Sequence, residues 1–249
     1  VPHHDLASSP NPGKISHDPQ ASLRRSNASS PAPQAPGLES SHHRSPVSRH
    51  RDHRDPLSLW LTITRNRRAA NLDQAFRNLR SLSISLYAFD EEYGSFPDAS
   101  TAVNVKDSTG TPLTLGDSSS NQLFRQLIAT VGRAESIFWA KTSRDSKKPD
   151  SNIDSDATAL APGECAFSYV SGRSSYGTDT PIVMAPLIPG TTRFDPKPFA
   201  RKAVVFFVGD DVQILPIDPS GRVLVNGRDL FDPAQPHWRG IPPDLKWPE

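Results

Sequence analysis

The chain predicts an α+β fold, a long N-terminal helix packed on a small antiparallel sheet, and three observations carry that expectation. Between residues 71 and 97, NLDQAFRNLRSLSISLYAFDEEYGSFP, apolar side chains recur at Leu72, Phe76, Leu79, Leu82, Leu86, Phe89 and Tyr93. That spacing of three or four draws one stripe along a helix. Downstream, Ala203–Val208 and Val212–Ile217 are strand-like runs joined by Gly209-Asp210-Asp211, which has the length of a hairpin turn. Finally, helical patterns come first and strand patterns follow, an order typical of α+β domains rather than of βαβ alternation.

The long helix has start and stop signals. Asn71 has N-cap chemistry, with Gln74 at the capping-box position, yet residues 57–70 are also helix-compatible and allow a start as early as Leu57. Gly94 suits the left-handed residue that closes a helix, and Pro97 forbids continuation. Past Pro97 a loop is expected, with Asp98 and Ser100 offering turn or cap chemistry. Ser119 to Val131 reads as a second helix, with Ser119 and Gln122 as capping box and Gly132 as terminator. Its apolar face is Leu123, Phe124, Leu127, Ile128 and Val131. Ser136 to Ala140, SIFWA, reads as a short buried strand, and residues 141–163 as a polar surface excursion.

From residue 164 onward strands dominate. Cys165–Val170 and Ile182–Leu187 are candidates separated by SGRSSYGTDT, and Pro189 to Pro198 is coil. Arg222–Val225 is a third late strand, and Asn226-Gly227 is a strong hairpin signal because both positions tolerate positive φ. The proline-punctuated tail from Phe231 is expected to wrap the body as ordered coil pinned by Trp238 and Trp247.

Composition divides the chain in two. Residues 1–56 are rich in Ser, Pro, His and Arg, and seven of the eight His lie before residue 54. Such a segment buries too little apolar surface to offset about 1–2 kcal/mol of backbone ordering per residue, so a disordered leader is expected, with the α+β domain at 57–249. Residues 1–70 hold ten Lys/Arg against five Asp/Glu, so a basic leader precedes a mildly acidic body. With no aromatic platform beside the charge, a solvated tail is favoured over specific nucleic-acid binding. The most apolar run, Leu57 to Ile63, falls far short of the roughly 20 residues of a membrane span.

The long helix, its acidic turn ending in Gly-x-Phe-Pro at 94–97, and the late antiparallel strands resemble the type IV pilin and type II secretion pseudopilin group. FDPKPF from Phe194, NGRDLFDP from Asn226 and the terminal KWPE are similar to prepilin-like proteins of the kind found in Verrucomicrobia and Planctomycetes. The late VFFVGDDV has Gly and Asp in the reverse of that group's order. The resemblance implies a pilin-like fold and a non-enzymatic structural or assembly role alongside other pilin-like subunits or secretion components. It also implies a cell-envelope or periplasmic location, whereas the polar N-terminus, taken as given, implies the cytoplasm. The group's processing site and the ~20 apolar residues after it are not found in this sequence. Either a soluble relative or a lost N-terminus accounts for that.

Candidate chemistry is sparse. Asp90, Glu91 and Glu92 are consecutive on a helix, point in different directions and read as a solvated face. Asp210, Asp211, Asp218, Asp229 and Asp232 lie in turns of the sort that suit calcium, but their spacing matches no EF-hand and no metal ligand is assigned. Cys165, the single cysteine, rules out an internal disulfide and reads as a buried thiol. His237 beside Trp238 reads as a rim residue. The leader histidines His42, His43, His50 and His53 lack a fixed geometry for metal. No nucleophile elbow or phosphate loop is present, so no catalytic, cofactor or metal residue is assigned. A soluble cell-envelope binding module using the 141–200 loops is the alternative function.

Overall fold

The computed structural model describes residues 56–249 apart from Arg133, Arg144 and Asp210. The expected disordered leader and its histidines lie outside the described residues. Helix α1, Pro56–Tyr93, is a single 38-residue element. Asn71 is therefore an interior residue, and the N-terminus falls at Pro56, where a missing N–H costs nothing in the first turn. The predicted stop is observed: Gly94 has φ 80° and donates its N–H to the Asp90 carbonyl at 2.8 Å.

The loop expected after Pro97 contains a second helix, α2, Thr101–Thr109. Its capping group is Asp98, whose Oδ1 accepts from the N–H groups of Ser100 at 2.7 Å and Thr101 at 3.1 Å. With Val105 as its only buried apolar residue, α2 has no stripe by which periodicity could reveal it. Helix α3, Ser120–Thr130, starts as predicted, with the Ser119 hydroxyl accepting from the Gln122 N–H. The SIFWA stretch is not a strand but a 3₁₀ turn, Glu135–Phe138. Asn78 on α1 explains the difference, since its Nδ2 donates to the carbonyls of Ser136 at 2.6 Å and Trp139 at 2.7 Å and holds the chain curled. A four-residue apolar run does not distinguish strand from turn.

The main sheet contains β1 (Ser168–Val170), β2 (Pro181–Ala185), β3 (Lys202–Phe207), β4 (Val212–Pro216) and β7 (Leu245–Lys246), in the order β4-β3-β2-β1-β7. All neighbours are antiparallel, and β1 to β4 form a simple meander. β7 comes from the tail, where Leu245 and Lys246 pair with Val170 and Tyr169. The predicted strand at Arg222–Val225 shrinks to β5 (Leu224–Val225) and leaves the meander to pair with β6 (Arg228–Asp229) in a separate ribbon. Its turn is the predicted Asn226-Gly227, with φ of 52° and 78°.

Both faces of the sheet are covered. On one side Val204 and Phe206 of β3 join Leu79, Leu82, Leu86 and Phe89 of α1, with Phe124 and Leu127 of α3, in one core. On the other, Ala203, Val205 and Phe207 of the same strand meet Val223, Leu230, Phe231 and Trp238. The uninterrupted apolar run of β3 follows from this two-sided burial. The tail is pinned as expected. Trp238 donates its Nε1–H to the Leu230 carbonyl at 2.7 Å, and Trp247 donates to that of Thr191 at 3.0 Å.

Replacing Leu82, which is fully buried, by Ala is expected to destabilise the protein by about 2–5 kcal/mol in urea denaturation. Ile84→Ala, at a 70 % exposed position on the opposite face of the same helix, is expected to change stability by no more than about 0.5 kcal/mol.

Candidate functional site

The strongest candidate lies where α1 ends. There a groove of about 930 Å³ opens between the turn after α1, the β1–β2 loop at residues 171–180, the β5–β6 turn and the tail. Its chemistry-bearing residues include Arg173, Tyr176, Asp179, Asn226, His237 and Arg239.

Specific hydrogen bonds fix its walls. Asp90 is buried at the end of α1, and its Oδ1 and Oδ2 accept from the Ser175 N–H at 3.1 Å and the Ser175 hydroxyl at 2.5 Å. Asp90 is therefore an anchor for the β1–β2 loop, in contrast to the expected solvated face, while Glu91 and Glu92 remain exposed. One residue set closes the same corner: the Phe96 N–H donates to the Arg173 carbonyl at 3.0 Å, and the Tyr169 hydroxyl to the Pro97 carbonyl at 2.8 Å. The far wall is held by Gln235, whose Nε2 donates to the carbonyls of Val225, Arg228 and Asp229.

Inside this frame the Arg173 guanidinium carbon lies 5.3 Å from the centroid of the Trp238 ring, within cation–π range. Its Nε is buried and has no hydrogen-bond partner among the described residues. His237 packs edge-on against Trp238 with ring centroids 4.6 Å apart. Burial lowers the His237 pKa, an effect that the Leu230 carbonyl and Asp179 oppose and the Arg173 charge reinforces. The Asp98 carboxylate, also on the rim, is occupied in capping α2.

The predicted strand Cys165–Val170 is regular only from Ser168, but Cys165 is buried as expected. Desolvation pushes its thiol up to about 11, far from the nucleophilic range at neutral pH. The acidic turns do not converge, and among the described residues no group of three or more metal-ligating side chains comes together. Asp211 faces Arg80 at 3.1 Å, Asp229 pairs with Arg193, and Asp218 accepts from the N–H groups of Ser220 and Arg222 in its own turn. Asp210 lies outside the described residues.

The 141–163 excursion is less superficial than its polarity suggests. Ala159 and Leu160 are fully buried, because the polar side chains of α3 reach over to them. Asn121 donates to the Leu160 carbonyl at 2.7 Å and Arg125 to that of Ala159 at 3.0 Å. Glu135, fully buried, accepts from the Leu160 N–H through Oε1, and its Oε2 has no partner among the described residues. Neither Asn121 nor Glu135 is marked in the sequence, because nothing local signals a buried polar group whose partner is more than twenty residues away.

A different surface sits at the other end of α1. Every residue from Trp60 to Ala70 is exposed apart from half-buried Thr64, and Trp60 and Leu61 are 61 % and 54 % exposed. Among the described residues no helix is long and apolar enough to cross a membrane. Comparisons with protein-family models, curated proteins and solved structures find no match to this chain.

Desolvation raises the Glu135 pKa, and the neighbouring negative charges of Glu164 and Asp150 add to it. The folded state then holds this proton more tightly than the unfolded chain does, so stability falls as pH rises above about 4.5 towards the raised value. Glu135→Gln keeps an acceptor for the Leu160 N–H and removes the charge. Melting curves across that range are expected to show a variant more stable than the parent at pH 7, with a shallower loss on raising pH. The slope contributed by Glu164, also raised by burial, remains.

Proposed function

We propose that this chain is a non-enzymatic structural or assembly component of the pseudopilin kind, joined to other subunits through the first part of α1. The observation that carries this reading is the division of one helix into two regimes. From Leu72 to Tyr93 its stripe is packed against the sheet and its neighbours, whereas Trp60, Leu61 and Ile63 are presented to solvent. The exposed stretch from Trp60 to Ala70 is roughly 16 Å long at 1.5 Å per residue. Large apolar side chains grouped on an extending helix gain free energy by burial against a partner, at about 25 cal/mol per Å².

Charge favours a second copy as that partner. Arg65, Arg67 and Arg68 follow the apolar group, and exposed Glu91 and Glu92 lie near the other end of the same helix. The separation is on the order of 37 Å along the axis. A copy displaced by that distance sets its basic segment beside the acidic end of its neighbour. Such a head-to-tail contact does not close on itself and generates an open array. The resemblance in the 82–97 segment supports the same reading.

The alternative, a binding module that uses the 141–200 loops, is favoured by the groove at the β1–β2 loop.

In sedimentation experiments at low salt, the full chain is expected to associate as concentration rises. Trp60→Ser combined with Leu61→Ser should abolish that association without lowering the melting temperature. Arg67→Glu should weaken it, and mixing with a Glu91→Lys, Glu92→Lys variant should restore it. A parent chain that stays monomeric throughout would sink the assembly reading.

A further inference from the structure

We infer that the groove at the end of α1 is a carboxylate-binding site centred on Arg173. This inference deepens the binding-module reading and rests on it, and it does not require assembly through α1.

Arg173 is placed as a receptor group rather than as a structural ion pair. Its guanidinium is seated on Trp238, which itself is fixed by its hydrogen bond to Leu230, so little side-chain freedom remains to be lost on binding. No acidic side chain pairs with Arg173 or Arg239 among the described residues, and the buried Nε of Arg173 has no acceptor. A half-buried guanidinium that no carboxylate pairs with among the described residues is well matched to a planar oxyanion, which takes two parallel N–H bonds from one fork. Arg239 lines the same groove and supplies a second positive charge, while His237 contributes a polar edge.

The opposing charges also have defined places. The Asp98 carboxylate is engaged by the N–H groups of Ser100 and Thr101 and by the Ser100 hydroxyl. Asp179 is exposed on the rim and repels an incoming anion, which limits affinity without filling the site. A volume of about 930 Å³ exceeds what one carboxylate requires and accommodates several linked residues. The carboxylate source is thus either a free small dicarboxylate or the side chains of an acidic peptide, and Tyr176, at 88 % exposure, offers an aromatic face to the latter.

The test is calorimetric titration of the full chain with three probes: succinate, a short Glu-containing peptide, and the same peptide with Gln in place of Glu. Saturable binding of succinate or of the Glu peptide, with the Gln peptide at least tenfold weaker, is the expected result. Succinate alone would identify a small-molecule site, and preference for the Glu peptide a protein partner. Arg173→Gln should reduce binding at least tenfold. Arg173→Lys, which keeps the charge and loses the fork, should fall between. Asp179→Asn should tighten binding several-fold. Melting curves establish that each variant is folded, and Arg239→Gln provides a second reduction should Arg173→Gln fail to fold. Binding of the Gln peptide as tight as that of the Glu peptide would overturn the carboxylate inference and leave the binding-module reading standing. No saturation with any probe would overturn the inference as well.

Discussion

The seating of the α1 stripe on the β2–β3–β4 face is the constraint from which the rest of this structure follows. Leu79, Leu82, Leu86 and Phe89 are fully buried there against Val204 and Phe206. Apolar burial has no direction of its own, so other contacts must fix how the helix sits. Tyr87 does so at one point: its ring lies edge-on to Phe206 and Phe96, and its hydroxyl accepts from the Gly209 N–H at 3.0 Å. Asn78 does so nearer the middle by holding the 3₁₀ turn. The exposed Arg80–Asp211 pair adds little, because two well-solvated ions at a surface have a small net attraction.

Once the helix is seated, polar groups at its end organise chain far away in sequence. Asp90 holds Ser175, and the backbone after Gly94 holds Arg173, so the groove takes its shape from the terminus of α1. The second core depends on the same arrangement. β3 presents alternate residues to the two faces, and its outer set needs a cover, which the β5–β6 ribbon and the tail provide. The C-terminus is tied back to the start of α3. The Ser120 N–H donates to the Trp247 carbonyl, and the Ser119 hydroxyl to the Glu249 carboxylate. β7 then shields one edge of the sheet, and β4 remains the other edge.

Much of this fold was legible in residues alone, and the reasons are local. The stripe from Leu72 to Phe89, the Gly94 stop, the Ser119 cap, the β3–β4 hairpin and the Asn226-Gly227 turn each carry their own chemistry within a few positions. What local sequence does not encode depends on distant partners. α2 is held by an aspartate cap without an apolar face, Ser136–Ala140 curls because of an asparagine on another helix, and β7 is a strand of two residues between prolines. In the sequence the β1–β2 side of the groove shows only as SGRSSYGTDT, the spacer between two strand candidates. Its receptor character comes from Arg173 meeting Trp238, sixty-five positions later, and no spacing rule connects those two. The expected role of Asp90 failed for the same reason, since its partner Ser175 is remote.

The two surfaces proposed to act lie at opposite ends of one continuous helix, and this makes their independence a matter of geometry. From Leu72 to Tyr93 the helix runs roughly 33 Å, about four Debye lengths at physiological salt, so charge at one end of a copy scarcely influences the other. Between copies the situation reverses. A head-to-tail contact that brings Arg65, Arg67 and Arg68 beside a neighbour's Glu91 and Glu92 brings them within a turn of Gly94, on the rim of that neighbour's groove. Added positive charge there favours a bound carboxylate, and linkage requires the carboxylate to favour the contact by the same free energy. Assembly and ligand capture are then coupled only in the array, through a charge that the isolated chain does not place near its own site.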